Sequence, residues 1–102
     1  IREARTDIES TRPTARNLFY AVDRVYKAGL NSPEAAMVEA QKVAQEDLVF
    51  SKAIGVYGSE LIDKQANILT HCNAGWLAFV DYGTALAPIY LAKRQGKDVF
   101  VY

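Results

Sequence analysis

Residues 32–62, SPEAAMVEAQKVAQEDLVFSKAIGVYGSELI, place the tightest limit on what this chain can become. Ser32 is a natural N-cap, Pro33 suits a first helical position, and Glu34 puts an acid in the first turn. No further proline interrupts the stretch, and Met37, Ala40, Val43, Ala44, Asp47, Leu48 and Ser51 fall on one face at helical spacing. The spacing predicts a single helix from about Pro33 to Leu61. Asp47 and Ser51 are imperfections on its apolar face. Gly55 and Gly58 each weaken it by roughly 1 kcal/mol relative to alanine, which marks a bend or the close approach of another backbone.

A helix of that length in a chain of 102 residues leaves room for one small domain. Before it, Thr11 and Pro13 introduce RPTARNLFYAVDRVYKAG, where Leu18, Ala21, Val22, Val25 and Tyr26 recur at helical spacing and Gly29 is a stop. A helix from about Pro13 to Ala28 follows. The first ten residues are charged and show no clear period. After the long helix, Asn67–Leu69 read as a buried strand that turns out through HCNAG. GWLAFVDYG is too short and mixed to assign. TALAPIYLAKRQ reads as a helix between Gly83 and Gly96, with Pro88 in its first turns, and DVFVY begins a second strand. Helices followed by strand–helix–strand predict an α/β fold: a helical segment over 1–65, then the start of a parallel sheet over 66–102. The strand leading to Cys72 is expected to be central and parallel to the one near Val99.

Composition narrows the function classes. Twelve acids balance twelve bases, which lacks the basic excess of a nucleic-acid binder. No apolar run approaches the roughly 18 residues of a membrane span. A single cysteine makes no internal disulfide, so a reducing, cytoplasmic setting and a free thiol are expected. The chain starts at Ile1 and stops inside an apolar run, as a piece of a longer protein would.

The only histidine and the only cysteine stand side by side at 71 and 72. A free cysteine usually behaves as a small buried hydrophobe. Here it leaves a strand, where open α/β sheets bind ligands, beside Asn73 and Gly75, whose backbone N–H groups can face an anion. On an extended chain His71 and Cys72 point to opposite sides, which argues against a Cys–His pair, and two residues fall short of a zinc site. Arg12, at the expected helix start, has a guanidinium suited to phosphate. A lone arginine is more often a solvated surface charge. Asp81 and Tyr82 read as caps for the next helix rather than as catalysts. These features alone describe an α/β protein with a candidate small-anion site and no assigned reaction.

The stretches STRPTARNLFYAVDRV, IGVYGSELI and ANILTHCNAGWLAFVDYGTALAPIYLAKRQGKDVFVY together resemble the methylthioribose-1-phosphate isomerases. These are sugar-phosphate aldose–ketose isomerases related to the regulatory subunits of a translation-initiation exchange factor. RPTARNL and THCNAG carry the likeness, which covers nearly the whole chain. The resemblance implies a Rossmann-like catalytic domain, and it implies Cys72 as the catalytic thiol. It also implies Arg12 as a substrate-binding residue and Asn73, Ala74 and Gly75 as backbone lining the site. It implies a phosphorylated pentose substrate, no metal or redox cofactor, a homodimer, and no nucleic-acid or membrane partner. The remainder of the polypeptide is expected to supply a catalytic aspartate, so the fragment alone would be inactive. Two alternatives stay open. One is a related isomerase of 5-deoxyribose 1-phosphate or ribose 1,5-bisphosphate, favoured by the bulk of Trp76 and Phe79. The other is a non-catalytic, sugar-phosphate-sensing regulatory subunit.

Overall fold

The computed structural model describes all 102 residues. Its elements are helices α1 (Arg2–Ser10), α2 (Asn17–Gly29) and α3 (Pro33–Glu60), strand β1 (Gln65–Ile68), a one-turn 3₁₀ helix (Trp76–Ala78), helix α4 (Ala87–Arg94) and strand β2 (Asp98–Val101). The chain forms two compact units, Ile1–Ala44 and Gln45–Tyr102. The division falls inside α3.

In the first unit, α1 occupies the charged start that shows no obvious period. Its apolar side is nevertheless helical: Ile1, Ala4 and Ile8 line an apolar cavity of about 360 Å³ with Val22, Val25 and Tyr26 of α2 and Ala36, Ala40 and Val43 of α3. Arg5 covers one flank. It bonds Glu9 at 2.9 Å, pairs with Asp23 at 3.2 Å, and lies over the Tyr26 ring at 4.9 Å. Helix α2 starts at Asn17, later than the spacing predicts. Thr11 is the reason: its N–H and its hydroxyl both donate to the Ile8 carbonyl, at 3.2 and 2.7 Å, so it closes α1 instead of opening α2. Ala15 then adopts a left-handed backbone, φ 66°, which no helix passes through.

Helix α3 begins where its capping residue dictates. The Ser32 hydroxyl accepts the Ala35 N–H at 3.0 Å, satisfying a donor the first turn would leave unpaired. The expected apolar face is only partly buried: Met37 is 63% exposed and Ala40 is exposed, while Asp47 and Leu48 are half-buried.

In the second unit the buried residues of α3 are Ser51, Gly55 and Ser59, spaced four apart. Gly55 and Ser59 meet α4 and its C-cap Gln95, and Ala87, Ile89 and Ala92 of α4 are buried in turn. A Cβ on Gly55 would stand 3.4 Å from the Ala87 carbonyl oxygen, and one on Gly58 would collide with the Pro88 ring. The glycines of α3 therefore mark the close approach of α4, and no bend is required. Lys97 finishes α3 from outside, its Nζ donating to the Ser59 and Ile62 carbonyls at 2.6 Å each. A cation at a helix C-terminus also complements the helix dipole.

Strands β1 and β2 pair in parallel, Ala66 opposite Val99 and Ile68 opposite Val101. The parallel pairing matches expectation, although β1 pairs with β2 alone and covers Gln65–Ile68, not Asn67–Leu69. Ala66 and Ile68 are half-buried while Gln65, Asn67 and Leu69 are exposed, so the strand is sided rather than buried throughout. Two further bonds, Tyr102 N–H to the Ile68 carbonyl at 2.9 Å and Thr70 N–H to the Tyr102 carbonyl at 3.3 Å, carry the pairing up to His71. Helix α4 ends in a double closure. The Gly96 N–H donates to the Lys93 carbonyl and the Lys97 N–H to the Ala92 carbonyl, both at 3.0 Å. The fold is thus α/β: a helical N-terminal part, then a strand–helix–strand unit with parallel pairing.

Candidate active site

The segment His71–Gly75 follows β1 at the carboxyl end of the parallel pair, the end at which α/β sheets bind ligands. Cys72 is a free, exposed cysteine, so the ordinary reading of a buried structural thiol does not describe it. Its backbone is left-handed, φ 77°. Such a conformation costs a side-chain-bearing residue about 1–3 kcal/mol and persists only where the surroundings impose it. It also removes the premise that His71 and Cys72 alternate on an extended chain. Cys72 bends out of the strand path.

What imposes the bend lies on its C-terminal side. Ala74 is half-buried and Gly75 buried. The Ala74 carbonyl accepts the Thr84 N–H at 3.0 Å, and the Gly75 carbonyl accepts the Ala78 N–H at 3.1 Å. A Cβ on Gly75 would stand 2.7 Å from the Tyr90 hydroxyl and 2.9 Å from Leu86 Cδ1. Trp76 then stacks flat on Tyr90, ring centroids 4.4 Å apart, and anchors the exit of the turn on α4. The Ala74 and Gly75 carbonyls are thus both engaged by N–H groups of the chain. The N–H groups of Cys72, Asn73, Ala74 and Gly75 donate to no other group of the chain, and Asn73 is exposed. The unpaired N–H groups of the exposed Cys72 and Asn73 stand beside the thiol, the kind of donor an oxyanion accepts; Gly75 is buried.

The loop from Phe79 to Thr84 buttresses this turn. Asp47 of α3 accepts the Val80 N–H at 3.0 Å, so the acid that interrupts an apolar helix face tethers the loop. Asp81 accepts the Tyr82 N–H at 2.8 Å on its own carboxylate, and its carbonyl takes the Gly83 N–H at 2.7 Å. Asp81 and Tyr82 consequently do not cap the next helix, as the sequence suggested. Helix α4 starts only at Ala87, behind a turn closed by the Ala87 N–H and the Thr84 carbonyl at 3.1 Å, and its N-cap Leu86 makes no side-chain bond. Thr84 precedes the helix, with its N–H committed to the Ala74 carbonyl. Tyr82 and Gly83 are both left-handed, φ 63° and 78°. For Tyr82 this costs about 1–3 kcal/mol, against about 0.5–1 kcal/mol from each cation held over its ring. Those cations are Lys52, 5.6 Å from the ring centroid, and Arg94, 5.7 Å.

Arg12 is exposed in the connection between α1 and α2. It does not stand at a helix N-terminus, because α2 begins at Asn17, so the helix dipole lends no support to anion binding there. Spacing arguments missed Asp47, Tyr82, Gly83 and Thr84. Only Asp47 carried a legible signal, an acid out of place on an apolar face.

The sequence profile of the Initiation factor 2 subunit family matches residues 1–102, the whole chain. The chain belongs to that family. The Methylorubrum populi protein named methylthioribose-1-phosphate isomerase is 45% identical over 114 residues, covering 100% of this chain and 31% of that protein. Among solved structures, 5-methylthioribose 1-phosphate isomerase from Pyrococcus horikoshii OT3 superposes with a TM-score of 0.78 at 35% identity, covering 98% of this chain and 30% of that one. Translation initiation factor eIF-2B, subunit delta, from A. fulgidus gives 0.72 at 44% identity, covering 91% and 29%. This family member therefore spans about a third of the length of the curated relatives it matches. None of its helices is long and apolar enough to cross a membrane.

Proposed function

We propose that the full-length protein is an aldose–ketose isomerase that converts 5-methylthioribose 1-phosphate to 5-methylthioribulose 1-phosphate, as in methionine salvage. The observation that carries this reading is Cys72: an exposed thiol in a left-handed backbone at the carboxyl end of a parallel strand, beside a run of unpaired N–H groups. Relatives of 45% identity that bear the isomerase name support it.

The phosphate on the anomeric oxygen blocks spontaneous ring opening, so catalysis starts with an acid. Protonating the ring oxygen breaks its bond to C1. The C2 hydrogen then reaches C1 either as a hydride or by proton removal and return through an enediol, and the C2 hydroxyl gives up its proton as the ketone forms. Positioned acid–base groups contribute about 10²–10⁴-fold to such steps. Cys72 is the group of this chain assigned to act at the sugar. Asn73, Ala74 and Gly75 offer backbone N–H groups to the ligand, and Arg12 takes the phosphate through charge-assisted bonds. The partner acid or base, an aspartate, belongs to the remainder of the polypeptide, and the working form is a cytoplasmic homodimer with a Rossmann-like catalytic domain.

The bulk of Trp76 does not by itself require a different sugar, since its ring is engaged in the stack with Tyr90. A second reading takes its weight from the 44% identity to the eIF-2B delta subunit; under it, this protein is a regulatory subunit that senses a sugar phosphate without turning it over. Assaying the full-length protein with 5-methylthioribose 1-phosphate, 5-deoxyribose 1-phosphate and ribose 1,5-bisphosphate separates the readings. Turnover highest on the first is the expected result. Turnover highest on another of the three identifies a related isomerase, and saturable binding with no ketose formed identifies the sensing subunit.

A further inference from the structure

We infer that Tyr82 is a positioning residue for the Cys72 turn, and that the cations of Lys52 and Arg94 over its ring hold it in that role. The inference rests on the isomerase reading for its kinetic consequence, while its structural content stands without it.

A tyrosine has no intrinsic reason to occupy φ 63°, and here it is followed at once by Gly83 at φ 78°. Two successive left-handed residues reverse the chain sharply. The reversal lays Gly83 directly on the Ala74 carbonyl and the Gly75 backbone, where a Cβ would find no room, and it aims the Thr84 N–H at the Ala74 carbonyl. Tyr82 is thus the last side chain before the backbone contact that buttresses the turn. Its ring is gripped from two different helices, by Lys52 on α3 and Arg94 on α4, and its N–H is held by the Asp81 carboxylate. The same ring lines a cavity of about 190 Å³ together with both cations, Gly55 and Val56 of α3, and Ala87 and Leu91 of α4. The two cations thus link the helix pair to Tyr82, and the backbone of Gly83 and Thr84 carries the link to Ala74, two residues after the thiol. Nothing in this path needs the tyrosine hydroxyl; it needs an aromatic face. Cation–π attraction to a ring survives loss of the hydroxyl and not loss of the ring.

The test compares Tyr82→Leu, Tyr82→Phe and the double substitution Lys52→Met/Arg94→Met in the full-length protein. Amide hydrogen exchange at Thr84, alkylation of Cys72 by iodoacetamide, and kcat and KM for 5-methylthioribose 1-phosphate are the readouts. Tyr82→Leu and the double variant should speed Thr84 exchange about tenfold or more relative to the β1 amides. Both should change the alkylation rate at least about threefold and lower kcat by about tenfold with KM moved less. Tyr82→Phe should restore all three. Thr84 exchange and alkylation both within twofold of wild type in Tyr82→Leu would overturn the proposal. So would failure of phenylalanine to rescue, or exchange that rises equally across α4, β1 and Thr84. If the protein shows no turnover at all, the isomerase reading fails, yet exchange and alkylation still decide the role of Tyr82.

Discussion

Gly83 lies against Gly75 with no space between them: a Cβ on Gly83 would sit 2.7 Å from the Gly75 Cα and would collide with the Ala74 carbonyl oxygen. Two glycines from separate turns make one backbone-to-backbone contact, and the Thr84–Ala74 hydrogen bond closes it at 3.0 Å. Gly83→Ala should therefore destabilise the protein by about 1–2 kcal/mol from its left-handed backbone alone, and by more from the collision. Its second effect should be local, a faster exchange of the Thr84 amide. A variant as stable as wild type in urea, with Thr84 still protected, would contradict the buttress.

The glycines of α3 offer a sharper contrast. Gly55→Ala puts a methyl group at ordinary contact distance, 3.4 Å from the Ala87 oxygen, and gains helix propensity of up to about 1 kcal/mol. Gly58→Ala drives a methyl group into the Pro88 ring, which is fixed in the α4 backbone. The first substitution should be neutral or stabilising and the second destabilising by more than about 1 kcal/mol. Equal denaturation midpoints for the two would show that α4 does not approach α3 as described.

Much of this packing was legible beforehand, and the misses have physical causes. Ser32, Pro33 and Glu34 announce α3 because capping is a local interaction, and Gly96 announces the end of α4 for the same reason. Thr11 misleads because a threonine hydroxyl can serve the helix behind it as well as the one ahead. Helix α1 escapes notice because three apolar residues among charges make a weak stripe, visible only once α2 lies beside it. The left-handed backbones of Cys72 and Tyr82 have no sequence signature, since neither residue type favours that conformation. Tertiary contacts impose them. The HCNAG turn could be located from sequence; of its buttress, Asp47 left a trace as an acid on an apolar face, while Tyr82, Gly83 and Thr84 left none.

Lys97 provides a prediction about the junction after α3. One ammonium donates to two carbonyls at 2.6 Å, in a partly buried setting. Bonds to a charged group are worth about 1.5–3 kcal/mol, so Lys97→Met should lower unfolding free energy by about that amount while keeping the side-chain length. Loss of less than about 0.5 kcal/mol in guanidinium denaturation would mean that water serves those carbonyls equally well.

Two carboxyls of the N-terminal unit make its stability depend on pH. The hydrogen bond from Lys27, aided by the charges of Lys27 and Arg5, holds Asp23 below the ordinary 3.8. Its own backbone N–H, and then the Ser32 hydroxyl, hold Glu34 below 4.5. The unfolded chain then binds more protons than the folded one just below those values, so stability rises with pH there. The contribution is fully present above 4.5, and it is lost as pH falls through the folded values. Asp23→Asn with Glu34→Gln should flatten the fall of the urea midpoint on acidification. An unchanged slope would show that neither carboxyl is linked to folding.

The proposed action of Cys72 on a sugar phosphate is reached most directly by one measurement: turnover of 5-methylthioribose 1-phosphate by full-length Cys72→Ser, with thermal unfolding followed on the same sample. Because Cys72 is exposed, serine should leave stability within about 0.5 kcal/mol of wild type. Removing the thiol should lower kcat by at least about a hundredfold, the scale of a lost acid–base group. Turnover within a few-fold of wild type would contradict the account and leave the thiol without a part in the chemistry.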